Sequence, residues 1–230
     1  MDRWQFYANN LQKFIKKKSS ILVIGGSQRD YELLKNLQYE NFQISNLKPN
    51  PDNYNFRILN IDATNINLKS NTFDYVVTHA CIHHVRKPHM ALLEMYRVSR
   101  IGTLIIESND SLLMRISCRL KISEDFEVSS VDMNNKRGGV EESGIPNYIY
   151  RWNEREIIKT FSSYEPEVKH QIFFEYGNDL DNFGVQKTKE KLIITKLIKF
   201  LIKIFLFFFK KQQNLLAIYI DKQNSNKRIF

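Results

Sequence analysis

The chain has 230 residues, 43% hydrophobic and 26% charged, which supports one full core and excludes a disordered or collagen-like polymer. Two cysteines exclude a disulfide framework and a four-cysteine zinc site. The net charge of +9 is local: residues 1–185 carry 23 basic and 23 acidic side chains, whereas residues 186–230 carry 11 basic ones against Glu190 and Asp221, which speaks against a polyanion-binding surface spread over the molecule.

In chain order, residues 3–18 predict a short amphipathic helix, with Trp4, Tyr7, Leu11 and Phe14 on one face and Lys16, Lys17 and Lys18 at its end. This stretch lacks the apolar run and small-residue cleavage site of a secretory leader, so a reducing, cytoplasmic location is expected. Ile21-Leu22-Val23-Ile24 is a buried strand running into Gly25-Gly26, followed by a helix bearing Tyr31, Leu34 and Leu37. Residues 42–45, 57–61 and 73–78 predict three more strands, the first two separated by a polar loop over 46–56. Pro88 opens a helix that Gly102 is expected to end. Residues 103–106 form a fifth strand, with Glu107 at its end.

Strand and helix thus alternate, the pattern of a parallel α/β sheet whose ligands sit beyond the carboxyl ends of the strands. Further on, residues 109–121 predict a helix and 124–147 a long polar loop, so that 109–150 is expected to form a lid on the substrate side. Asn153 with Glu156 signals another helix start, and 172–176 and 215–220 predict two last strands. The whole of 1–230 is expected to be a single domain.

A strand, a glycine pair and a helix make a candidate nucleotide site, because glycines admit close backbone approach and helix N–H groups face the ligand. Asn46 stands at the end of the second strand, where a ribose-binding acid is expected. Asp62, at the end of the third, is placed to accept from an adenine amino group.

The ordered series Ile21–Gly26, Asp62-Ala63, Phe73-Asp74-x-Val76-Val77, Ile82-His83-His84-Val85 and Ala91–Val98 resembles class I S-adenosylmethionine-dependent methyltransferases, in particular the type 11 group. The resemblance covers residues 20–108 and departs from the usual pattern at Val23, Ser27, Arg29 and Asn46. It implies a Rossmann-like seven-stranded α/β sheet with helices on both faces and the last strand antiparallel. It also implies S-adenosyl-L-methionine as cofactor, lying across Gly25, Gly26, Ser27, Asn46, Asp62, Ala63 and His79.

His79, Cys81, His83, His84 and His89 crowd into eleven residues. Strand spacing places at most His79, Cys81 and His83 on one side, with no carboxylate nearby in sequence, so no metal is expected. A Cys–His nucleophilic pair is equally poorly placed at this spacing. The resemblance implies His84, then His83, as catalytic residues at the rim where acceptor and cofactor meet. There an imidazole can take the proton of an acceptor hydroxyl. Glu107, Asn109, Tyr148, Tyr150 and Arg151 are further rim candidates, and Asp30 or Asp52 is a candidate to replace the missing ribose acid.

Residues 187–211 predict a basic, apolar helix between the last two strands. Lys189, Lys196, Lys199, Lys203 and Lys210 fall within an arc of about 80°, and Leu, Ile and Phe fill the rest. The lysines argue against a membrane span and for a helix lying in the plane of an anionic membrane, with a core or dimer-interface helix as the alternative. The expected activity is methyl transfer to an oxygen of a small or lipid-linked acceptor, such as a quinone precursor or glycan intermediate, by a peripheral membrane protein that binds no nucleic acid. A non-catalytic membrane-associated module is the alternative.

Overall fold

A computed structural model of the chain describes residues 2–47, 54–127, 148–179 and 191–227, with side chains from 200 onward in the last segment. Seven strands form one sheet in the order β3-β2-β1-β4-β5-β7-β6, with β1 Ile21–Ile24, β2 Phe42–Asn46, β3 Ile58–Asn60, β4 Phe73–His79, β5 Ser99–Ser108, β6 Val168–Gly177 and β7 Leu215–Lys227. The β1–β2, β1–β4, β2–β3 and β4–β5 pairs are parallel; β7 runs antiparallel between β5 and β6. The seven-stranded sheet with an antiparallel last strand is as the resemblance implied.

Among the described residues six α-helices accompany it: α1 Arg3–Phe14, α2 Gln28–Asn36, α3 Pro88–Val98, α4 Leu112–Arg119, α5 Glu154–Tyr164 and α6 Lys191–Phe208. The period-2 alternation of the strands divides the core between two faces. Leu22, Ile24, Val76, Ile105 and Ile218 pack with Ala91, Leu92 and Met95 of α3 and with Ile157 and Phe161 of α5. Ile21, Val23, Val77, Leu104 and Ala217 pack with Phe6, Tyr7 and Leu11 of α1 and with Leu34 of α2. Helices therefore cover both faces.

Three expected boundaries move. α1 stops at Phe14, leaving the three lysines beyond it; Lys17 reaches instead over the Tyr39 ring, 4.1 Å from its centroid. α3 ends at Val98 rather than Gly102, because Ser99 turns extended and pairs with Phe73. Gly102 lies inside β5, where a Cβ would come within 2.7 Å of the Tyr219 hydroxyl. α4 starts only after Ser111, whose hydroxyl accepts from Met114 N. Residues 128–147 of the expected lid, Asp52, and 187–190 of the basic segment with Lys189 lie outside the described residues, as do the side chains of Lys196 and Lys199.

Candidate functional site

The carboxyl ends of β3, β2, β1 and β4 lie side by side, and the turns leaving them carry the residues expected to hold the cofactor. Gly25 has φ +65°, the left-handed region that favours glycine, and a Cβ there would sit 1.9 Å from Cys81 Sγ. The turn after β4 thus closes on the glycine turn after β1. Gly26 N donates to Ser45 O at 2.9 Å, and Asn46 Nδ2 donates to Gly26 O at 3.3 Å, tying β2 to the same turn.

Ser27 caps α2. Its N–H and hydroxyl both donate to the buried Asp30 carboxylate at 2.8 Å. Burial pushes the Asp30 carboxyl up, opposed by these Ser27 bonds. Asp30 therefore serves the helix cap and is not placed as a free ribose acceptor. Asp62 is exposed at the rim, and its Oδ1 accepts from Thr64 N at 2.8 Å and Thr64 Oγ1 at 2.7 Å. Ala63 is buried in the core beneath it.

His79 ends β4 and is buried. Tyr7 stacks on it with ring centroids 4.7 Å apart, Trp4 meets it edge-on at 4.5 Å, and Arg29 lies 4.3 Å from the Trp4 ring centroid. The sequence placed Trp4 and Tyr7 on an apolar face but carried no sign that this face closes the carboxyl edge of the sheet. Burial, followed by the charge of Arg3, lowers His79 to about 3.

The sign of the pH dependence follows. An unfolded histidine titrates near 6.5, so between there and about 3 the unfolded chain binds a proton that the native state refuses. Stability from a neutral His79 is present above pH ~6.5 and is lost as the pH falls, by about 1.4 kcal/mol per unit. We expect His79→Phe, which keeps an aromatic ring on Tyr7, to flatten the decline of the urea midpoint between pH 7 and 4.5. An unchanged slope would show that His79 is not the acid-labile group.

The 82–84 segment is a 3-10 turn rather than strand. His83, 3% exposed, is held through Nδ1 by Glu107 Oε2 at 2.6 Å. The other carboxylate oxygen of Glu107 accepts from Cys81 N at 2.9 Å and Ile82 N at 2.8 Å. Burial works against an imidazolium, yet the Glu107 charge and hydrogen bond outweigh it and hold His83 up at about 9. Burial works against the Glu107 carboxylate too, but the His83 charge holds it below the usual range. Burial, with Glu107 second, pushes the Cys81 thiol up to about 12, so it is no ready nucleophile.

His84 is the more accessible imidazole of the pair, with ring centroids 4.0 Å apart. Glu127 faces both rings: its Oε2 lies 3.3 Å from His84 Nε2 and its Oε1 lies 3.5 Å from His83 Nε2. No carboxylate is near the histidines in sequence, but Glu107 and Glu127 reach them through the fold. Glu107 was legible as a residue at a strand end; Glu127 gave no signal.

Asn109 is no rim residue. Its amide donates to Lys211 O at 3.0 Å and Gln213 O at 2.7 Å, binding the end of β5 to the entry of β7. Tyr150 hydrogen-bonds Glu156, and Arg151 pairs with Asp125 at 2.9 Å; both side chains anchor the flanks of the expected lid. Tyr148 stacks edge-on with Phe126 at 5.2 Å.

α6 adds an apolar surface beside this edge. Leu206 is 2% exposed and, with Ile202, lines an apolar cleft with Met114 and Ile116 of α4 and Leu120 just beyond it, while Gln213 Nε2 donates to Leu206 O at 3.1 Å. Phe200, Leu201, Ile204, Phe205, Phe207, Phe208 and Phe209 are exposed, as are Leu112 of α4 and Leu120 after it. Lys203, Lys210 and Lys211 are exposed alongside them. No helix among the described residues is long and apolar enough to cross a membrane.

Compared with known proteins, residues 34–106 match a family model described as a methyltransferase domain. Among solved structures, the chain is similar to a SAM-dependent methyltransferase from Archaeoglobus fulgidus, at 13% identity over 95% of this chain and 94% of that one, with a TM-score of 0.56. A possible histamine N-methyltransferase from Thermotoga maritima is 12% identical over 96% of this chain and 89% of that one, with a TM-score of 0.55. The 1,6-didemethyltoxoflavin-N1-methyltransferase of Burkholderia thailandensis, solved with S-adenosylhomocysteine bound, is 10% identical over 96% and 79%, with a TM-score of 0.51. No curated protein matches the chain. At these identities, what the solved structures share with it is the fold.

Proposed function

The chain has the class I S-adenosylmethionine-dependent methyltransferase fold and a methyltransferase-domain match over residues 34–106, and from that premise we propose that it methylates an oxygen of a small or lipid-linked acceptor at a membrane surface. Methyl transfer from adenosylmethionine is the activity that fold and match support. The observation that carries the reading is the convergence of the Gly25-Gly26 turn, Asn46, Asp62 and His79 at adjacent carboxyl ends of the sheet.

The residues fit an adenosyl ligand. Asp62 offers an exposed carboxylate at the rim, and His79 Nε2 is a buried atom without a hydrogen-bond partner. Gly25, Gly26 and Ser27 would take the amino-acid end, Asn46 the ribose, and Asp62 with Ala63 the adenine. When bound, the cofactor supplies an electrophilic methyl group on a sulfonium sulfur.

The protein's own part is alignment and proton handling. Trp4 and Tyr7 cover His79 and keep water from this edge. His83 is buried and committed to Glu107, which leaves His84 as the accessible imidazole to take the proton of an acceptor hydroxyl.

The membrane context rests on the uncovered apolar side of α6 and α4, rimmed by Lys203, Lys210 and Lys211. It lies beside the strand ends where an acceptor enters, because β7 starts there directly after α6. An amphiphilic acceptor meets both surfaces at once.

Calorimetric titration with adenosylmethionine and adenosylhomocysteine tests the cofactor site. Micromolar binding that weakens at least tenfold in Asp62→Ala is expected, a loss of one hydrogen-bonded contact to a polar ligand atom. Absence of binding at millimolar cofactor would instead favour a non-catalytic module. The seating of Cys81 on Gly25 and the bond from Asn46 to Gly26 are the observations on that side.

A further inference from the structure

We propose that His83, His84 and Glu127 bind a divalent transition-metal ion. The three side chains each offer one ligand atom, and all three atoms lie within 4.8 Å of one another. Two imidazoles and one carboxylate are a donor set suited to zinc and its first-row neighbours, with positions left open for water or a substrate oxygen.

Three observations carry the assignment. First, the His83 Nδ1 atom is bonded to Glu107 Oε2 at 2.6 Å, the carboxylate–histidine arrangement that orients a ligating ring and leaves Nε2 for the metal. Second, His83 Nε2 is buried, makes no hydrogen bond, and faces Glu127. An ion there would give that atom a ligand bond in place of its long contact with the Glu127 carboxylate.

Third, the contacts are longer than a charge-assisted hydrogen bond, and one carboxylate oxygen faces each ring. Glu127 Oε1 stands 3.5 Å from His83 Nε2, and Glu127 Oε2 stands 3.3 Å from His84 Nε2. Ligand atoms about 2.0–2.1 Å from a tetrahedral ion are themselves about 3.3–3.4 Å apart. An N–H···O bond to a carboxylate is shorter, about 2.7–2.9 Å. The three ligand atoms, all within 4.8 Å of one another, draw together to the co-ligand spacing when the ion binds.

The ion site stands by itself. Its open position rests on the methyltransferase reading, in which an acceptor hydroxyl occupies it. His84 is then a ligand rather than the proton acceptor.

The test uses the full-length chain, stripped with chelator and titrated with Co²⁺ alone. One equivalent is expected to give the visible absorption of a four- or five-coordinate site without a thiolate charge-transfer band, and Zn²⁺ to displace it. His84→Ala and Glu127→Gln are each expected to weaken binding at least tenfold while the far-ultraviolet circular dichroism of the metal-free chains stays unchanged. Binding of Co²⁺ no tighter in the native chain than in Glu127→Gln overturns the proposal, as does a thiolate band that places the ion on Cys81 or Cys118. Adenosylmethionine calorimetry on the stripped chain separates failure of this site from failure of the methyltransferase reading.

Discussion

Glu107→Ala should cost about 3–5 kcal/mol of folding stability, the range for breaking a buried ion pair from one side. Glu107 is buried at the end of β5 and accepts from Cys81 N, Ile82 N and His83 Nδ1 at 2.9, 2.8 and 2.6 Å. Alanine leaves two backbone N–H groups without their acceptor and an imidazole in the core without its closest counter-charge. Each orphaned donor carries roughly 1–3 kcal/mol of uncompensated desolvation, part of which the segment recovers by relaxing toward water.

Glu107→Gln keeps the shape and one acceptor oxygen, so it should lose about half as much, roughly 2 kcal/mol. Urea unfolding of the three chains at pH 7 measures the series. An alanine variant within 1 kcal/mol of the native chain would mean that the 80–84 turn is held by something other than this carboxylate. The same turn carries His83 and His84 and closes over Gly25, so its loosening should also weaken cofactor binding.

Phe207→Ser combined with Phe208→Ser should reduce binding to anionic phospholipid vesicles by a factor of roughly 100 to 20,000. The two rings are 71% and 73% exposed, so replacing them removes little from the folded core. Each would bring about 1.5–3 kcal/mol if buried in the acyl boundary, and tenfold in affinity corresponds to about 1.4 kcal/mol. Lys203, Lys210 and Lys211 add roughly 1 kcal/mol apiece near an anionic surface, a contribution that salt screens.

Cosedimentation with vesicles of neutral and anionic composition, at low and high salt, separates these two parts. A native chain that stays in the supernatant, or a double variant that sediments equally well, removes the membrane from the proposed function. A native dimer that the double variant converts to monomer, without vesicle binding, assigns the same apolar face to a second copy of the chain.

Both experiments bear on features the sequence revealed unevenly. Periodicity and turn chemistry are local properties, and they were legible wherever an element packs according to its own pattern. Ile21–Ile24 is buried at every position because β1 lies between β2 and β4 with helices on both faces. The order of strands and helices, the glycine turn at Gly25 and the antiparallel last strand were accessible in the same way, the last through resemblance rather than spacing. Even locally the pattern failed where tertiary pairing competed with it: Ser99 to Gly102 read as the tail of a helix, but pairing with β4 on one side and β7 on the other made them strand.

The chemistry of the site depends on convergence, which no local pattern encodes. His83 meets Glu107 across 24 residues of chain and Glu127 across more, and only the parallel pairing of β4 with β5 brings the first of these meetings about. That pairing gave the buried His83 a carboxylate partner at a strand end, while Glu127 supplies the one that faces both rings. Asp30, by contrast, is a helix cap through a local contact: Ser27 and Asp30 form a capping box in the first turn of α2, a spacing the sequence itself carries. For α6, the sequence pattern gave an apolar helix with a lysine stripe and favoured an in-plane membrane helix over a core or dimer-interface one. In the folded chain Leu206 is buried and, with Ile202, lines an apolar cleft against α4, whereas Phe200, Leu201, Phe207, Phe208 and Phe209 are more than half exposed. The amino-acid pattern settles which residues avoid water; which of them the folded chain covers is decided by the sheet and its helices.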